Sequence, residues 1–362
     1  MTNPMKENEI YTDSYESMQH LSNIAAEKSC QCKVEFLFIR SQDLDDETNV
    51  ETYEAAMKLL EESHGIIVPG AIGSPGFKGV MKTCKFAREK KKPYLGIALG
   101  FQCGVMEFAQ NICGIYPDSN QKVEEEVLFD TKKSRRGQHT VIFLTENSKL
   151  FELYGRKNFI EERNWNQKEI NPVHVPLFIK RGLKFVGIGI DEKENGERSQ
   201  GLQNLMSYDE AGYIKTMDEL CKSYRKTAPL LSMQIFELQD HPYYVGVLYG
   251  PKCSGDGLHP AAPSPPFIGL IKAALHEKEL LEAEKDLSLV NLNLPPAVLP
   301  SSTITAQKII PKSDLIETVN TKPALYAAGK FDNWIETDYE LEGISDAEFN
   351  YIRTLMDAFK QK

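Results

Sequence analysis

The stretch Lys92-Pro-Tyr-Leu-Gly-Ile-Ala-Leu-Gly-Phe-Gln102 (KPYLGIALGFQ) decides the fold. Its first half is a short apolar run that predicts a buried strand, and its second half begins a helical pattern. Gly96 and Gly100 flank the turn between the two halves, an arrangement typical of a nucleophile elbow, where a reactive side chain sits on a tight strand-to-helix turn. The residue at the apex is Ala98, whose methyl group has no chemistry. The sequence therefore predicts the geometry of a reactive turn without its reactive atom.

Composition limits the classes of function. The chain has 362 residues, of which 41% are hydrophobic and 26% charged, and its net charge of -10 does not favour nucleic-acid binding. We find no apolar run of about 18 residues and no apolar signal-peptide core at the N-terminus, so we expect a cytoplasmic protein without a membrane partner. The seven cysteines show no metal-ligand spacing. We expect them to be reduced thiols, and we expect no metal and no other cofactor.

Strand-like and helix-like patterns alternate over the first half of the chain. Strands are predicted at 33–39, 65–70 and 93–99, and helices at 50–63, 77–92 and 101–113. This rhythm predicts an α/β fold in which helices cover both faces of a mostly parallel sheet, giving three layers. Later strand patterns at 140–144, 183–190, 232–238 and 243–250 are closer to hairpins, so we expect the sheet to be mixed.

The chain divides by composition into three parts. Residues 1–276 form the α/β domain, with a polar insertion at about 191–232 that contains one predicted helix. Residues 277–330 continue a helix into a proline-rich linker, and residues 331–362 form a C-terminal helical segment. The last segment carries an apolar stripe that includes Phe349 and Phe359. This stripe can dock on the protein's own core or on a partner, and the sequence leaves both open.

Six segments in order carry a family resemblance. They are DSYESMQH (13–20), GIIVPGAIGSPGFKG (65–79), KKPYLGIALGFQCGVMEFAQNICG (91–114), EINPVHVPLFIKRGLKFVG (169–187), HPYYVGVLYGPK (241–252) and PSPPFIGLIKAA (263–274). Together they resemble the class I glutamine amidotransferase domain of CTP synthase. The resemblance implies a flavodoxin-like three-layer sandwich with a mixed, mostly parallel central sheet. Nothing in the chain resembles the family's ATP-dependent synthetase domain, and there is no Walker-type P-loop.

The resemblance implies a Cys-His-Glu triad, in which the elbow cysteine forms a thioester with glutamine. Those three positions hold Ala98, Gly250 and Lys252 here. Alanine cannot form the thioester, and the last position has changed the sign of its charge. We therefore expect a pseudoenzyme without glutaminase activity.

The resemblance also implies a pocket for glutamine, and this pocket is altered. Its positions are Gly70, Ala71, Gly73, Leu99, Gln102, Glu107 and Gln167. Gln102 and Glu107 match the family's substrate-binding residues. Gln167 replaces an arginine that would hold the substrate carboxylate by two charge-assisted hydrogen bonds, and Ala71 replaces a glycine of the oxyanion loop. Glutamine binding, or the binding of any ligand in this pocket, stays open.

Two hypotheses of function arise from different classes. In the first, the fold is kept as a binding, scaffold or regulatory protein, whose partner is a CTP synthase or a second copy of itself, with a link to pyrimidine nucleotide metabolism. In the second, the pocket is rebuilt into a hydrolase or a small-molecule sensor. Cys103 or Cys253 would then be the nucleophile, with His241 or His259 nearby in sequence. A further alternative is that the glycine-rich loop containing Lys78 binds a phosphate.

Overall fold

The computed structural model describes residues 16–45, 49–70, 76–116, 127–190, 206–207, 209–224, 231–251 and 262–292. Several predicted features lie outside these ranges, namely Ala71, Gly73, Lys252, Cys253, His259, most of the insertion, the linker and the C-terminal helix. The chain divides into two compact units, Met1–Asn293 and Leu294–Lys362, and only the first contains described residues.

Helices and strands alternate as the sequence predicts. The helices are 16–25 (α1, continued by the π-helical turn Ala26–Cys30), Val50–Glu62 (α2), Phe77–Glu89 (α3), Leu99–Asn111 (α4), Lys149–Leu153 (α5), Val175–Lys180 (α6), Glu210–Tyr224 (α7) and Pro265–Leu292 (α8), with a 3-10 turn at Ser41–Leu44. The strands are Ile66–Val68 (β1), Tyr94–Ile97 (β2), Leu128–Phe143 (β3), Phe159–Ile170 (β4), Leu183–Ile190 (β5), Leu231–Leu238 (β6) and Tyr244–Val247 (β7). None of the described helices is long and apolar enough to cross a membrane.

The described strands form one sheet in the order β1-β2-β7-β6-β5-β3-β4. Strands β1, β2 and β7 are parallel to one another, and every other neighbouring pair is antiparallel. The prediction of a mixed sheet is confirmed, but the expectation that most of the sheet is parallel is wrong for the described strands. Connection length explains the antiparallel pairing of β6 with β7. Residues 239–243, between β6 and β7, are too few for a helical crossover and can only form a hairpin.

Side chains alternate across the sheet and build a core on each face. On β2, Tyr94 packs into one core while Leu95 and Ile97 pack into the other. The first core includes residues of α2, α3, α4, α6 and α7, and the second includes residues of α1, α5 and α8. The predicted three-layer sandwich is confirmed, since each face of the sheet is covered by helices.

The predicted strand at 33–39 is not part of the sheet. These residues have no assigned secondary structure, and they line a cavity of about 850 Å³ together with Ile67 of β1 and Leu270 of α8. Leu37 and Phe38 are 45% and 62% exposed. Residues 36–39 are all apolar, which suits a strand buried on both faces, but a local pattern cannot specify whether the run pairs with β1, because that pairing depends on tertiary contacts.

Helix α8 extends past the expected end of the α/β domain. It runs without interruption from Pro265 to Leu292, so the boundary predicted at 276 falls inside the helix, and the compact unit ends at Asn293. An ion pair holds the middle of the helix to the sheet layer, because Nζ of the buried Lys92 lies 3.1 Å from a carboxylate oxygen of Glu277.

Glu237 at the end of β6 holds the N-terminus of α5. Its carboxylate accepts hydrogen bonds from the hydroxyl of Ser148 at 2.7 Å and from the backbone N–H groups of Lys149 and Leu150, each at 2.9 Å. Helix N-termini have backbone donors without intrahelical partners, and a carboxylate satisfies them well. The short helix therefore depends on this buried charge.

We predict that Glu237→Ala lowers the free energy of unfolding by roughly 3 kcal/mol, because buried donors lose their acceptor. Urea denaturation followed by circular dichroism measures the effect. Glu54→Ala, on the exposed side of α2, is the matched control and should change little. Equal unfolding midpoints for the two variants would contradict the assigned role.

Candidate functional site

The predicted elbow is present at Ala98. This residue is the N-cap of α4 and has φ 49° and ψ −98°, outside the regions that residues with a Cβ adopt freely. Its N–H donates to the carbonyl of Val247 at 2.9 Å, and its carbonyl accepts from the N–H of Gln102 at 3.0 Å. The chain thus has a strained turn at Ala98, of a kind that is common at active sites, and the side chain at its apex is only a methyl group.

Glycines around Ala98 allow the backbone to approach closely. A Cβ on Gly100 would lie 2.3 Å from the carbonyl oxygen of Val68, and one on Gly96 would lie 2.7 Å from the carbonyl carbon of Gly100. A Cβ on Gly70 would lie 3.2 Å from the Cβ of Ala98. The predicted pocket residue Gly70 is therefore a direct neighbour of the apex. The half-buried Leu99 follows the apex as the first residue of α4.

The histidine position, Gly250, lies just beyond β7 and is exposed. Its N–H donates to the carbonyl of Arg163 on β4 at 2.9 Å, forming an isolated antiparallel bridge. A Cβ at this position would have the Arg163 carbonyl oxygen, at 3.7 Å, as its nearest neighbour. The backbone therefore leaves room for a side chain that the sequence does not supply.

Strand β4 contacts both halves of this site. Besides the bridge to Gly250, the carbonyl of Lys168 accepts a hydrogen bond from Nε2 of Gln102 at 3.1 Å. Along β4, Arg163 and Gln167 are exposed and the alternate Asn166 is buried, as the pleat requires. Gln167, at the family's arginine position, thus lies on the same strand face as the residue that pairs with Gly250.

The structure does not place Glu107 with this group. Its fully buried carboxylate accepts two hydrogen bonds from Arg88 of α3, at 2.9 Å and 2.6 Å, and one from Asn111 at 3.0 Å. Gln102 and Glu107 are five positions apart on α4, so they point about 140° apart around the helix. The placement of Glu107 gives it a packing role between α3 and α4 and does not favour the predicted contact with glutamine.

The start of α3 already has an anion, which argues against the phosphate alternative. The N–H of Gly79 donates to the carboxylate of Asp45 at 2.6 Å. A Cβ on Gly79 would lie 1.8 Å from the carbonyl oxygen of Ser41, and Gly76 has φ 72°. These two glycines therefore serve the packing of the 3-10 turn on α3. Asp45 was not among the residues predicted from the sequence, because it lies 34 positions from Gly79 and no local pattern signals the contact.

Cys103 and His241 do not form a substitute catalytic pair. Cys103 is part of α4 and is fully buried in the core. His241 is also buried; its Nε2 bonds to the carbonyl of Ala87 at 3.1 Å, and its Nδ1 accepts from the N–H of Tyr243 at 3.2 Å. Burial lowers the pKa of His241 to about 4. Among the described residues, no group of three or more His, Cys, Asp or Glu side chains could hold a metal ion.

We predict that Ala98→Gly raises the free energy of unfolding by about 1 kcal/mol, because the backbone strain that glycine relieves exceeds the chain entropy that it adds. Urea denaturation measures the change. The control is Ala109→Gly, in the regular part of the same helix, which should destabilise the protein by about 1 kcal/mol or more. Destabilisation by both variants would show that the turn stores no strain.

We predict that His241 stays neutral down to a pH of about 4. Because the pKa is lower in the folded state than in the unfolded state, this residue favours folding above pH 6.5, and its contribution is lost as the pH falls towards 4. NMR titration of the imidazole Cε1–H, assigned with a His241→Asn variant, measures the midpoint. A midpoint near 6.5 would contradict the buried, doubly bonded ring.

Comparison with known proteins identifies the family of this α/β domain. The family model for glutamine amidotransferase class-I matches residues 11–203, more than half of the chain. CTP synthase of Drosophila melanogaster is 31% identical over 281 residues, which cover 73% of this chain and 38% of the relative. CTP synthase 1 of Homo sapiens is also 31% identical, with 73% and 40% covered. The chain thus spans about two fifths of the length of these curated relatives.

A solved structure shows the same fold. The glutaminase domain of Trypanosoma brucei CTPS with bound acivicin superposes with a TM-score of 0.55 at 19% identity, over 73% of this chain and 89% of that domain. The predicted fold class is confirmed by this match together with the observed sheet. The chain therefore belongs to the class-I glutamine amidotransferase family, with a domain of the CTP synthase type.

Proposed function

We propose that this protein is a catalytically inactive amidotransferase-like protein, similar to the glutaminase domain of CTP synthase, that acts in binding, scaffolding or regulation. The observation that carries the proposal is the elbow that holds Ala98 in the nucleophile's conformation. Attack on an amide requires a thiol or hydroxyl at this apex, and a methyl group cannot form the covalent intermediate. The strand-to-helix turn is therefore present, but the attack on the amide cannot take place.

The other positions of the site support the same proposal. Gly250 has no side chain to act as a base, although its surroundings have room for one. Lys252 stands in the sequence where the family has its orienting carboxylate. Gln167 cannot form the paired, charge-assisted hydrogen bonds that an arginine makes with a carboxylate. The family's catalytic and substrate-binding side chains are thus replaced at four separate positions, which favours a role that does not need glutamine cleavage.

The packing that stabilises a fold does not depend on its active site, so a protein without catalytic activity can still bind a partner through its surface. Our proposed partners are a CTP synthase and a second copy of this chain, which would link the protein to pyrimidine nucleotide metabolism. We propose that it acts in the cytoplasm, where thiols such as the buried Cys84 and Cys103 stay reduced. Nucleic acid and membrane are not among the proposed partners, and no cofactor is proposed.

The alternative of a rebuilt hydrolase or sensor is less well supported. Its first candidate nucleophile, Cys103, is fully buried, and His241 has both ring nitrogens bonded to the backbone. The second candidate, Cys253, lies outside the described residues. We therefore favour the inactive, binding role.

We predict that the purified protein releases no ammonia from glutamine above background, because Ala98 cannot attack the amide. A coupled glutamate dehydrogenase assay measures release. The triple variant Ala98→Cys, Gly250→His, Lys252→Glu restores the three lost groups, and a fourth change, Gln167→Arg, restores the carboxylate contact.

The two variants separate loss of chemistry from loss of the pocket. Ammonia release by the fourfold variant alone would show that the substrate contact was lost as well as the triad, and release by both would show that only the chemistry was lost. Circular dichroism of each variant confirms that it is folded. Ammonia release by the unmodified protein at a rate that Cys103→Ser or Cys253→Ser abolishes would overturn the proposal in favour of a rebuilt enzyme.

A further inference from the structure

Two cysteines flank a left-handed residue at the end of the first helix. Helix α1 changes into the π-helical turn Ala26–Cys30, and Gln31 then has φ 52° and ψ 38°. A residue other than glycine in this conformation costs free energy and is uncommon. Cys30 precedes Gln31 and Cys32 follows it. The N–H of Cys32 then donates to the carbonyl of Ala26 at 3.2 Å, which closes the turn.

This backbone brings the two cysteines within reach of each other. The dihedral angles of Gln31 are nearly the mirror image of those of an α-helix. Helix geometry places the Cα atoms of residues i and i+2 roughly 5.4 Å apart, and the mirror-image conformation gives the same spacing. Disulfide-bonded cysteines have Cα atoms about 4.4–6.8 Å apart. In an extended chain, the same two Cα atoms would be roughly 6.8 Å apart, at the upper limit.

Both thiols are partly accessible to solvent. Cys30 and Cys32 are free and half-buried, whereas Cys84, Cys103 and Cys221 are buried. The pKa of Cys30 is raised, first by burial and then by the neighbouring Cys32. The ammonium group of Lys272 on α8 acts in the opposite direction and favours the thiolate.

We propose that Cys30 and Cys32 form a reversible disulfide by exchange with a small-molecule disulfide such as oxidised glutathione. One cysteine thiolate attacks a sulfur of the small disulfide, forming a mixed disulfide and releasing one small thiol. The second cysteine attacks the mixed disulfide, forming the Cys30–Cys32 bond and releasing the other thiol. Two S–H bonds of the protein become one S–S bond, and the two electrons and two protons leave with the two small thiols.

The modification has a structural consequence at the cavity that residues 33–39 line. Cys32 leads directly into this unpaired segment, and Cys32 is itself one of the lining residues. A disulfide fixes the direction in which the segment leaves the first helix. The reduced form leaves Gln31 free to change conformation. The inference does not depend on the proposed inactive role, because neither cysteine belongs to the elbow, β7 or β4.

Tryptic mapping tests the proposal directly. Cleavage after Lys28 and Lys33 gives the peptide Ser29–Lys33, which contains Cys30 and Cys32 and no other cysteine. The full chain is equilibrated with reduced and oxidised glutathione at graded ratios and quenched with acid. Free thiols are then alkylated, and the protein is digested with trypsin near neutral pH and analysed by mass spectrometry. We expect this peptide to lose two hydrogens and to resist alkylation at ratios where the peptide containing Cys113 stays alkylated.

Variants at Gln31 and a synthetic peptide are the matched controls. Gln31→Gly keeps access to the left-handed conformation and should oxidise at a similar ratio. Gln31→Val disfavours it and should shift the equilibrium towards the dithiol by roughly 5- to 30-fold. The free peptide Ser29–Lys33 shows how far ring closure proceeds without the fold. Stable glutathione adducts on each cysteine separately, or ring closure no more favourable in the protein than in the free peptide, would overturn the proposal.

Discussion

The close contact between helix α4 and strands β1 and β2 is the constraint on which the rest of the structure depends. At Gly100, the helix backbone approaches the carbonyl of Val68 so closely that a single added carbon would lie 2.3 Å from it. To reach this position, the chain must reverse direction immediately after β2, and Ala98 takes the strained conformation that allows it. The geometry of the elbow is therefore a packing requirement, and it does not need a nucleophile at its apex.

The backbone contacts at the elbow do not depend on the side chain at its apex. The N–H of Ala98 is bonded to Val247, and this contact fixes β7 beside β2 whatever side chain the apex carries. Beyond β7, the backbone of Gly250 is held by Arg163 of β4, again without a side chain. Both of these positions are thus held by main-chain hydrogen bonds, which substitutions of their side chains leave in place.

Three polar groups that could have served a ligand find their partners within the fold. Glu107 bonds to Arg88, Asp45 accepts from the start of α3, and His241 is bonded at both nitrogens. From the sequence, Glu107, the glycine-rich loop and His241 were candidates for glutamine binding, phosphate binding and catalysis. In each case the polar group is hydrogen-bonded within the protein. A buried polar atom without a hydrogen-bond partner would lower the stability of the fold by about 1–3 kcal/mol.

The sequence by itself determined the alternation of helices and strands, the elbow and the absence of a reactive group at Ala98, because each depends on residues only a few positions apart. The tertiary structure decided that Glu107 bonds to Arg88, 19 positions away, and that Asp45 reaches Gly79, 34 positions away. It also decided that 33–39 stays out of the sheet and that only three of the seven described strands run parallel to one another. Local spacing fixes which way a side chain points, whereas its partner depends on segments that meet only when the chain has folded.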